Sequence, residues 1–312
     1  MDATPPPPAL PRAAAAAAAT PAIRPTPVIE PLLLAAARVS TFDGERLLTH
    51  ASGFFFEREG RLFLVTSRHV VIDTPSKHFP DRLQIELHTD AQNLAQSTGF
   101  SIPLYRDGRS IWRQGTDDAG EIDVALVELE RQALPATLVY RAFTPAHLVD
   151  LADRSDPVQV GSSLLIVGFP LGFHDTLHHL PVVRQAISAS SYGLRFQGEG
   201  YFLTDARTHR GTSGAPVVMR VSDVSSIPGD LPWRLLGVHS ARLDVGSRDE
   251  REDEALGLNC AWYADILMTL SAPATPASPV ASERPRSTRR QSADARTRTA
   301  AAPADPAKPS PR

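Results

Sequence analysis

The stretch RGTSGAPVV, residues 210–218, places Ser213 between two glycines and runs directly into an apolar, β-branched pair, Val217 and Val218. Glycine adopts backbone conformations that are closed to other residues, so this composition predicts a tight turn leading into a strand. A serine at the centre of such a turn is either an ordinary turn residue or a nucleophile. Because a free hydroxyl is a weak nucleophile at neutral pH, the second interpretation requires a base and an acid elsewhere in the chain.

His69 is the best-positioned candidate for the base among the ten histidines. It follows the apolar segment LFLVT, residues 62–66, and precedes Val70 and Val71. A histidine held at the end of a strand has a fixed position, which a base requires. Taken alone, however, this pattern is more typical of a structural histidine.

Asp123 is the candidate for the acid, because it lies in the apolar strand pattern IDVALVEL between Ile122 and Val124. A carboxylate in a half-buried strand is costly unless it is hydrogen-bonded, and a histidine could supply that bond. Without such a partner, Asp123 would be an ordinary residue of a strand end. The nearby Asp117, Asp118 and Glu121 lie in polar loop sequence and need no such explanation.

The order His, Asp, Ser along the chain argues against the α/β-hydrolases, which run Ser, Asp, His and carry G-x-S-x-G, whereas residue 215 here is alanine. The three blocks LVTSRHVV, DVALVEL and TDARTHRGTSGAPVV resemble the histidine, aspartate and serine blocks of the chymotrypsin-like (trypsin-like) serine proteases. They are most similar to the bacterial branch that contains HtrA-type and glutamyl-endopeptidase-type enzymes. The resemblance covers roughly residues 40–270 and leaves both ends of the chain unexplained.

This resemblance implies an all-β fold of two packed antiparallel β-barrels, a serine endopeptidase activity on polypeptide substrates, and no cofactor. Ser213 would attack the peptide carbonyl, His69 would accept its proton, and Asp123 would orient the imidazole. The backbone N–H groups of Gly211 and Ser213 would hold the oxyanion. Two other functions stay open: a catalytically silent protease-fold binding protein, and an adaptor that acts through its proline-rich N-terminus.

The substrate pocket is also inferred from the resemblance. Thr208 and His239 match a threonine and a histidine with which glutamyl endopeptidases hold a glutamate side chain, which implies a preference for Glu, Gln or Asp before the scissile bond. The alternative is that His239 is a packed strand histidine and that cleavage follows small apolar residues. Ser240 aligns with a serine that supports the catalytic aspartate. The residues assigned to this pocket are Arg207, Thr208, His239, Ser240 and Arg242.

Two further features depart from a simple protease pattern. Thr212 stands where digestive members of the family carry an aspartate that pairs with a new N-terminus, so no activation of that kind is expected. The segment GFHDTLHHLP, residues 172–181, clusters His174, His178 and His179 with Asp175. Spacing of four residues could suit a metal in a helix, but the bounding prolines favour a short polar loop, and no metal site is expected.

Composition suggests the domain organisation. The chain has 312 residues, 42% of them hydrophobic, but its two ends are rich in Ala, Pro, Ser and Thr and lack the large apolar residues that a core needs. The spacing of Trp262, Ile266 and Leu270 predicts a closing helix over 261–270. The predicted segments are a disordered region 1–32, a first β-barrel 33–130, a linker 131–155, a second β-barrel with its helix 156–270, and a disordered basic tail 271–312.

The remaining compositional features restrict compartment and partners. A single cysteine, Cys260, excludes an intrachain disulfide. The N-terminus is a poor signal peptide and no 18-residue apolar run is present, so a cytoplasmic location without a membrane span is expected, with export left open. The basic tail has no aromatic residues between its arginines, which argues against a specific nucleic-acid site. Neither the oligomeric state nor the physiological substrate follows from the sequence.

Overall fold

The computed structural model of the chain describes residues 29–152, 156–227, 229–242 and 256–273. The predicted disordered ends, 1–32 and 271–312, therefore lie mostly outside the described residues. Their inner limits need correction, since Leu32 and Ser271 are both about 1% exposed. Leu32 packs into the hydrophobic core, and Ser271 accepts hydrogen bonds from Arg58 and Arg61.

The chain folds almost entirely into antiparallel β-structure, as the sequence predicts. The strands are β1 Ala36–Asp43, β2 Arg46–Arg58, β3 Arg61–Thr66, β4 Arg82–His88, β5 Ser97–Pro103, β6 Tyr105–Arg106, β7 Arg109–Ser110, β8 Trp112–Asp117, β9 Gly120–Leu129, β10 Ser163–Gly168, β11 Val182–Ser188, β12 Tyr201–Asp205, β13 Pro216–Arg220, β14 Trp233–Arg242 and β15 Leu258–Tyr263. Within the described ranges two short α-helices accompany them, α1 Arg68–Val71 and α2 Ile266–Leu270. Single 3-10 turns cover Pro31–Leu34, Arg131–Ala133, Pro145–His147, Pro170–Gly172, Phe196–Gly198 and Val224–Ser226.

Apart from β6 and β7, which pair with each other as a separate two-stranded sheet, the strands form two units. The first is a seven-stranded sheet in the order β5-β4-β1-β2-β3-β9-β8, and the second is a closed barrel in the order β10-β11-β12-β15-β14-β13. Ile102 on one edge strand of the sheet and Trp112 on the other belong to the same buried cluster, so the sheet curls around one core. This confirms the predicted fold class of two packed antiparallel β units.

The central strands of the sheet are apolar on both faces because both faces are covered. In the run GFFFE, Phe54 and Phe56 point into a core shared with the barrel, whereas Phe55 points into the core of the sheet itself. Successive side chains of a strand point to opposite faces, so a continuous apolar run marks a strand buried on both sides. The shared core also holds Val238 and Trp262 from the barrel. The candidate site lies at this junction.

The predicted helix over 261–270 is partly wrong. Ala261 and Trp262 belong to β15, which pairs with β12 on one side and with β14 on the other and so closes the barrel. Only Ile266–Leu270 is helical. The apolar spacing that suggested a longer helix arises because Trp262 and Leu270 both enter the shared core. None of the helices within the described ranges has the length and apolarity needed to cross a bilayer.

Candidate active site

The pairing of β3 with β9 brings His69 and Asp123 together. Thr66, at the end of β3, lies opposite Ala125 of β9. Because the two strands are antiparallel, the chain that leaves β3 reaches the level of Asp123 within a few residues. There it forms the single turn of α1, on which His69 stands. A register set by buried apolar residues thus positions both polar side chains.

Asp123 holds both the backbone and the ring of His69. One carboxylate oxygen accepts the backbone N–H of His69 at 2.8 Å, and the other accepts the Nδ1–H of the ring at 2.7 Å. The second oxygen also accepts a short hydrogen bond from the hydroxyl of Ser240. With Nδ1 carrying the proton, Nε2 of His69 is left as the basic nitrogen.

The two titrating groups stabilise each other's charged form. Burial lowers the pKa of His69, but the hydrogen bond and the negative charge of Asp123 outweigh it, so the net pKa is raised above its usual value. Burial raises the pKa of Asp123, yet its hydrogen bond to His69 and the charge of that ring bring the net pKa below the usual range. Asp123 is therefore a carboxylate at neutral pH, and a proton accepted by His69 would be stabilised.

The turn around Ser213 admits no side chain at the position that follows the serine. Gly214 has φ of +87°, and a Cβ there would collide with the carbonyl oxygen of Ser52 and the hydroxyl of Thr66. Gly211 has φ of +91°, and a Cβ there would lie 2.7 Å from the carbonyl oxygen of Phe169. The two glycines of the sequence stretch are therefore required by close backbone approach as well as by left-handed conformation.

Ser213 and His69 line the same open cleft, which has a volume of about 780 Å³. Within the described residues no hydrogen bond joins the hydroxyl of Ser213 to His69. The hydroxyl donates instead to the backbone carbonyl oxygen of Ser240, at 2.9 Å. The structure thus brings the candidate base and acid into hydrogen-bond contact. The serine hydroxyl lies in the same cleft but is hydrogen-bonded to a different acceptor.

Two backbone N–H groups of the turn donate no hydrogen bond within the described part of the chain. Thr212 N–H donates to the carbonyl of His209, and Gly214 N–H donates to the carbonyl of His239. Among the residues that the structure describes, no acceptor is bonded to the N–H groups of Gly211 and Ser213. Both are free to receive an anion. The buried hydroxyl of Thr212 has no partner either.

The residues assigned to the substrate pocket have different environments. Thr208 and His239 are almost fully buried, and they do not line the cleft. The hydroxyl of Thr208 donates to the side-chain oxygen of Asn259 at 2.6 Å, whereas Nδ1 of His239 is buried without a partner. Burial lowers the pKa of His239 to about 3, with a smaller contribution from His69. Its imidazole is therefore neutral at physiological pH.

Three assigned residues remain. Ser240 is buried, and it contacts the site from two sides, with its hydroxyl on Asp123 and its carbonyl on Ser213. Arg207 is exposed and makes no hydrogen bond to the rest of the described chain. Arg242 contributes its backbone to β14 opposite Asn259, but its side chain lies outside the described part of the chain.

Two residues of the site were not found by sequence reasoning. Ser52 of β2 is fully buried, and its backbone N–H donates to the carbonyl of Ser213 at 2.9 Å. Its hydroxyl donates to the carbonyl of Gly211 at 2.7 Å and accepts from the N–H of Phe169. Asn259, the partner of Thr208, is the second. Both are ordinary polar residues in strand sequence, and no pattern distinguishes them.

The histidine-rich segment forms a loop, as its prolines suggest. Asp175 and Leu180 form an isolated antiparallel bridge, and the carboxylate of Asp175 accepts a hydrogen bond from His178. Among the described residues, no group of three or more His, Cys, Asp or Glu side chains has the geometry to hold a metal ion.

Comparison with known proteins identifies the family of this chain. Residues 51–224 match the trypsin-like peptidase domain, which is more than half of the chain. The chain belongs to the trypsin-like peptidase family. The match contains the β2–α1 segment with His69, the β9 strand with Asp123 and the turn with Ser213. No curated protein shows significant similarity to this chain.

Several solved protease structures resemble this chain at low identity. A serine endoprotease from Yersinia pestis is 14% identical over 77% of this chain and 62% of its own, with a TM-score of 0.43, so this chain spans about three fifths of that protein. An inactive form of Rv3671c from M. tuberculosis H37Rv is 15% identical, over 85% of this chain and 98% of its own, with a TM-score of 0.43. A scabies mite inactivated protease paralogue is 20% identical, over 77% of this chain and 95% of its own, with a TM-score of 0.45.

Proposed function

We propose that the protein is a serine endopeptidase that hydrolyses peptide bonds through an acyl-enzyme intermediate. Ser213 attacks the carbonyl carbon, and Nε2 of His69 takes the hydroxyl proton and returns it to the leaving amine. Asp123 keeps the imidazole in the tautomer with the proton on Nδ1 and stabilises the imidazolium. The N–H groups of Gly211 and Ser213 stabilise the oxyanion. The observation that carries this proposal is the pair of hydrogen bonds that His69 donates to Asp123, beside a cleft that Ser213 also lines.

One rearrangement is needed for catalysis. The hydroxyl of Ser213 leaves the carbonyl of Ser240 and turns toward His69, which is a rotation about one side-chain bond. Substrate supplies a replacement donor for the freed carbonyl, because a peptide backbone in the cleft presents N–H groups. In this mechanism the contact between Ser213 and Ser240 belongs to the resting enzyme.

We further propose a preference for Glu, Gln or Asp before the scissile bond, with Thr208 and His239 as the recognising residues. The burial of His239 favours glutamine among the three. A neutral imidazole donates a hydrogen bond but supplies no countercharge, and burying an unpaired carboxylate is costly. Because Thr208 and His239 do not line the open cleft, binding requires the side chain of the substrate to open this region. Profiling with a peptide library tests the preference, and dominant cleavage after Lys, Arg or large apolar residues would refute it.

The alternative, a catalytically silent binding protein with a protease fold, is favoured by one observation: Ser213 is hydrogen-bonded to Ser240 and not to His69. Intact-mass labelling with a fluorophosphonate, beside a Ser213→Ala variant, separates the two functions. A single adduct on the unmodified protein alone supports the endopeptidase. Absence of an adduct on folded protein would exclude an activated nucleophile and leave the binding function.

A further inference from the structure

Half of the histidines of the chain gather on one side of the candidate site, although they come from three separate segments. His50 lies on β2 and His88 on β4, both in the first sheet. The others lie on the loop that follows β10 in the barrel. We call this group of five the histidine cluster: His50, His88, His174, His178 and His179.

The histidine cluster joins the loop to the sheet. Nε2–H of His88 donates to the carbonyl of His178 at 2.6 Å, which links β4 to the loop. The rings of His174 and His179 stack with centroids 6.1 Å apart. On the sheet side, His50 approaches Gly172 so closely that a Cβ on this glycine would lie 3.3 Å from the ring. Imidazole side chains thus contribute contacts between the two β units at this place.

The hydrogen bonds fix which ring nitrogen carries the proton in several of these histidines. A carbonyl can only accept, so the proton of His174 lies on Nδ1, which donates to the carbonyl of Gly172 at 2.6 Å, and the proton of His88 lies on Nε2. The Nδ1 of His179 is buried and has no partner. A second proton on each of the stacked rings of His174 and His179 would place two positive charges next to one another.

The surrounding charges also disfavour protonation of the two sheet histidines. Burial lowers the pKa of His50, and the positive charges of Arg38 and His174 lower it further. Burial lowers the pKa of His88, and the neighbouring rings of His179 and His178 add to this. The hydrogen bond to the carbonyl of His178 and the charge of Glu86 oppose the lowering without cancelling it.

Acidic groups near the cluster would compensate little of the positive charge that protonated rings would carry. Asp175 is bonded to His178, whose Nδ1–H holds the pKa of this carboxyl at about 2. Arg46 and Arg210 line the cleft together with His50, and Asp43, the acidic residue at that end, is paired with Arg46. Most of the cluster therefore has no negative partner.

The loop that carries the cluster is hydrogen-bonded to the turn that carries Gly211. The N–H of Leu171 donates to the carbonyl of Arg210 at 2.6 Å. Ser52 bridges the two segments, since its hydroxyl accepts from Phe169 and donates to Gly211. Leu171 has φ of +54°, a left-handed conformation that a non-glycine residue adopts only when its surroundings enforce it. Any displacement of the loop therefore changes the support of Gly211.

We propose that the histidine cluster is a proton-sensitive lock on the turn that positions the oxyanion donors. When the five rings are neutral, the loop is held against the sheet and supports the Arg210–Gly211 segment. When the rings are protonated, their mutual repulsion moves the loop away and releases the turn. Because the folded state disfavours protonation of His50 and His88, the lock is complete above pH 6.5 and is lost as the pH falls below it. The significance of the lock for catalysis rests on the proposed function of Gly211.

Hydrogen–deuterium exchange on the full chain with Ser213→Ala, which cannot digest itself, tests this proposal. Peptides covering 169–181 and 207–214 are compared at pH 7.5 and pH 5.0 after correction for the chemical exchange rate. We expect the protection of both peptides to fall together by at least about tenfold. Each histidine whose folded pKa lies one unit below its unfolded pKa contributes a factor of up to about ten, and the contributions of several histidines multiply. A peptide from β3 serves as the internal reference.

A second variant assigns the effect to the cluster. His88→Gln and His174→Asn keep the hydrogen-bond donors to the two carbonyls but cannot titrate, so in the double variant the fall should shrink to about threefold or less. His147→Asn is the matched control, because His147 is a buried histidine with a lowered pKa outside the cluster.

Three results would overturn the lock: unchanged protection at pH 5.0, a response in 169–181 without one in 207–214, or an equal response in the double variant. If the double variant does not fold, His174→Asn alone is compared with the parent. No turnover is measured in these experiments, so the outcome does not depend on the fluorophosphonate result.

Discussion

Replacing Asp123 with asparagine tests the proposed mechanism at its most constrained point. In the native site one carboxylate oxygen accepts the backbone N–H of His69 and the other accepts its Nδ1–H. An amide has only one oxygen. If that oxygen keeps the backbone N–H, the NH₂ group faces Nδ1 and forces the proton of the ring onto Nε2, which then cannot accept the proton of Ser213.

The expected loss can be worked from these contacts. Removing a hydrogen bond to a charged group costs about 1.5–3 kcal/mol, which accounts for about 10- to 100-fold in rate. The wrong tautomer adds a further loss, and the combined effect of such a substitution in a Ser-His-Asp site is about 10⁴-fold. We therefore expect Asp123→Asn to slow fluorophosphonate labelling by about 10³- to 10⁴-fold.

The pH dependence of labelling should change as well. Labelling requires neutral His69, and the raised pKa of this ring places the acid limb of the native protein above pH 6.5. Without the hydrogen bond and charge of Asp123, burial is the largest influence left on the pKa of the ring, so the residual labelling of the variant should persist to below pH 6.5. Asp118→Asn, in the exposed β8–β9 turn, is the control and should behave as the native protein does. Labelling of Asp123→Asn within threefold of the native rate, or an unmoved acid limb, would refute the proposed role of Asp123.

Three further predictions concern the turn and its supports. Gly214→Ala should abolish labelling and lower the free energy of unfolding by about 1–3 kcal/mol or more, because the new Cβ collides with the carbonyl of Ser52. Gly193→Ala is the control, since its Cβ meets no atom within 4 Å, and it should change the free energy of unfolding by less than about 0.5 kcal/mol. Urea titrations measure both. Ser240→Ala should slow labelling by about 10- to 100-fold through the lost hydrogen bond to the carboxylate, with a far smaller loss counting against that bond. Blocking the N-terminal amine should leave the labelling rate unchanged, since Thr212 offers no carboxylate for it to pair with, and a large loss would contradict this expectation.

The strand pattern and the three motifs could be predicted because each depends on short-range sequence. Apolar runs such as GFFFE and LFLVT specify buried strands directly, and the glycines around Ser213 are fixed by the tight turn. The pairing of His69 with Asp123 followed from a family pattern, and the register of β3 and β9 supplies its physical cause. The closing helix was placed too early, because apolar spacing does not distinguish a helix from a strand buried on both sides.

By itself, the sequence determined the all-β class, the turn around Ser213 and the identity of the three candidate catalytic residues. Only the tertiary structure decided what surrounds them: Ser52 beneath the turn, Ser240 on Asp123, and the histidine cluster beside Gly211. The contact between Ser52 and Gly211, for example, joins residues 159 positions apart, and such contacts form only when the sheet and the barrel pack on their shared core. A polar side chain in a strand gives no indication of its partner, because the partner is selected by the packing of the two units and not by any local pattern.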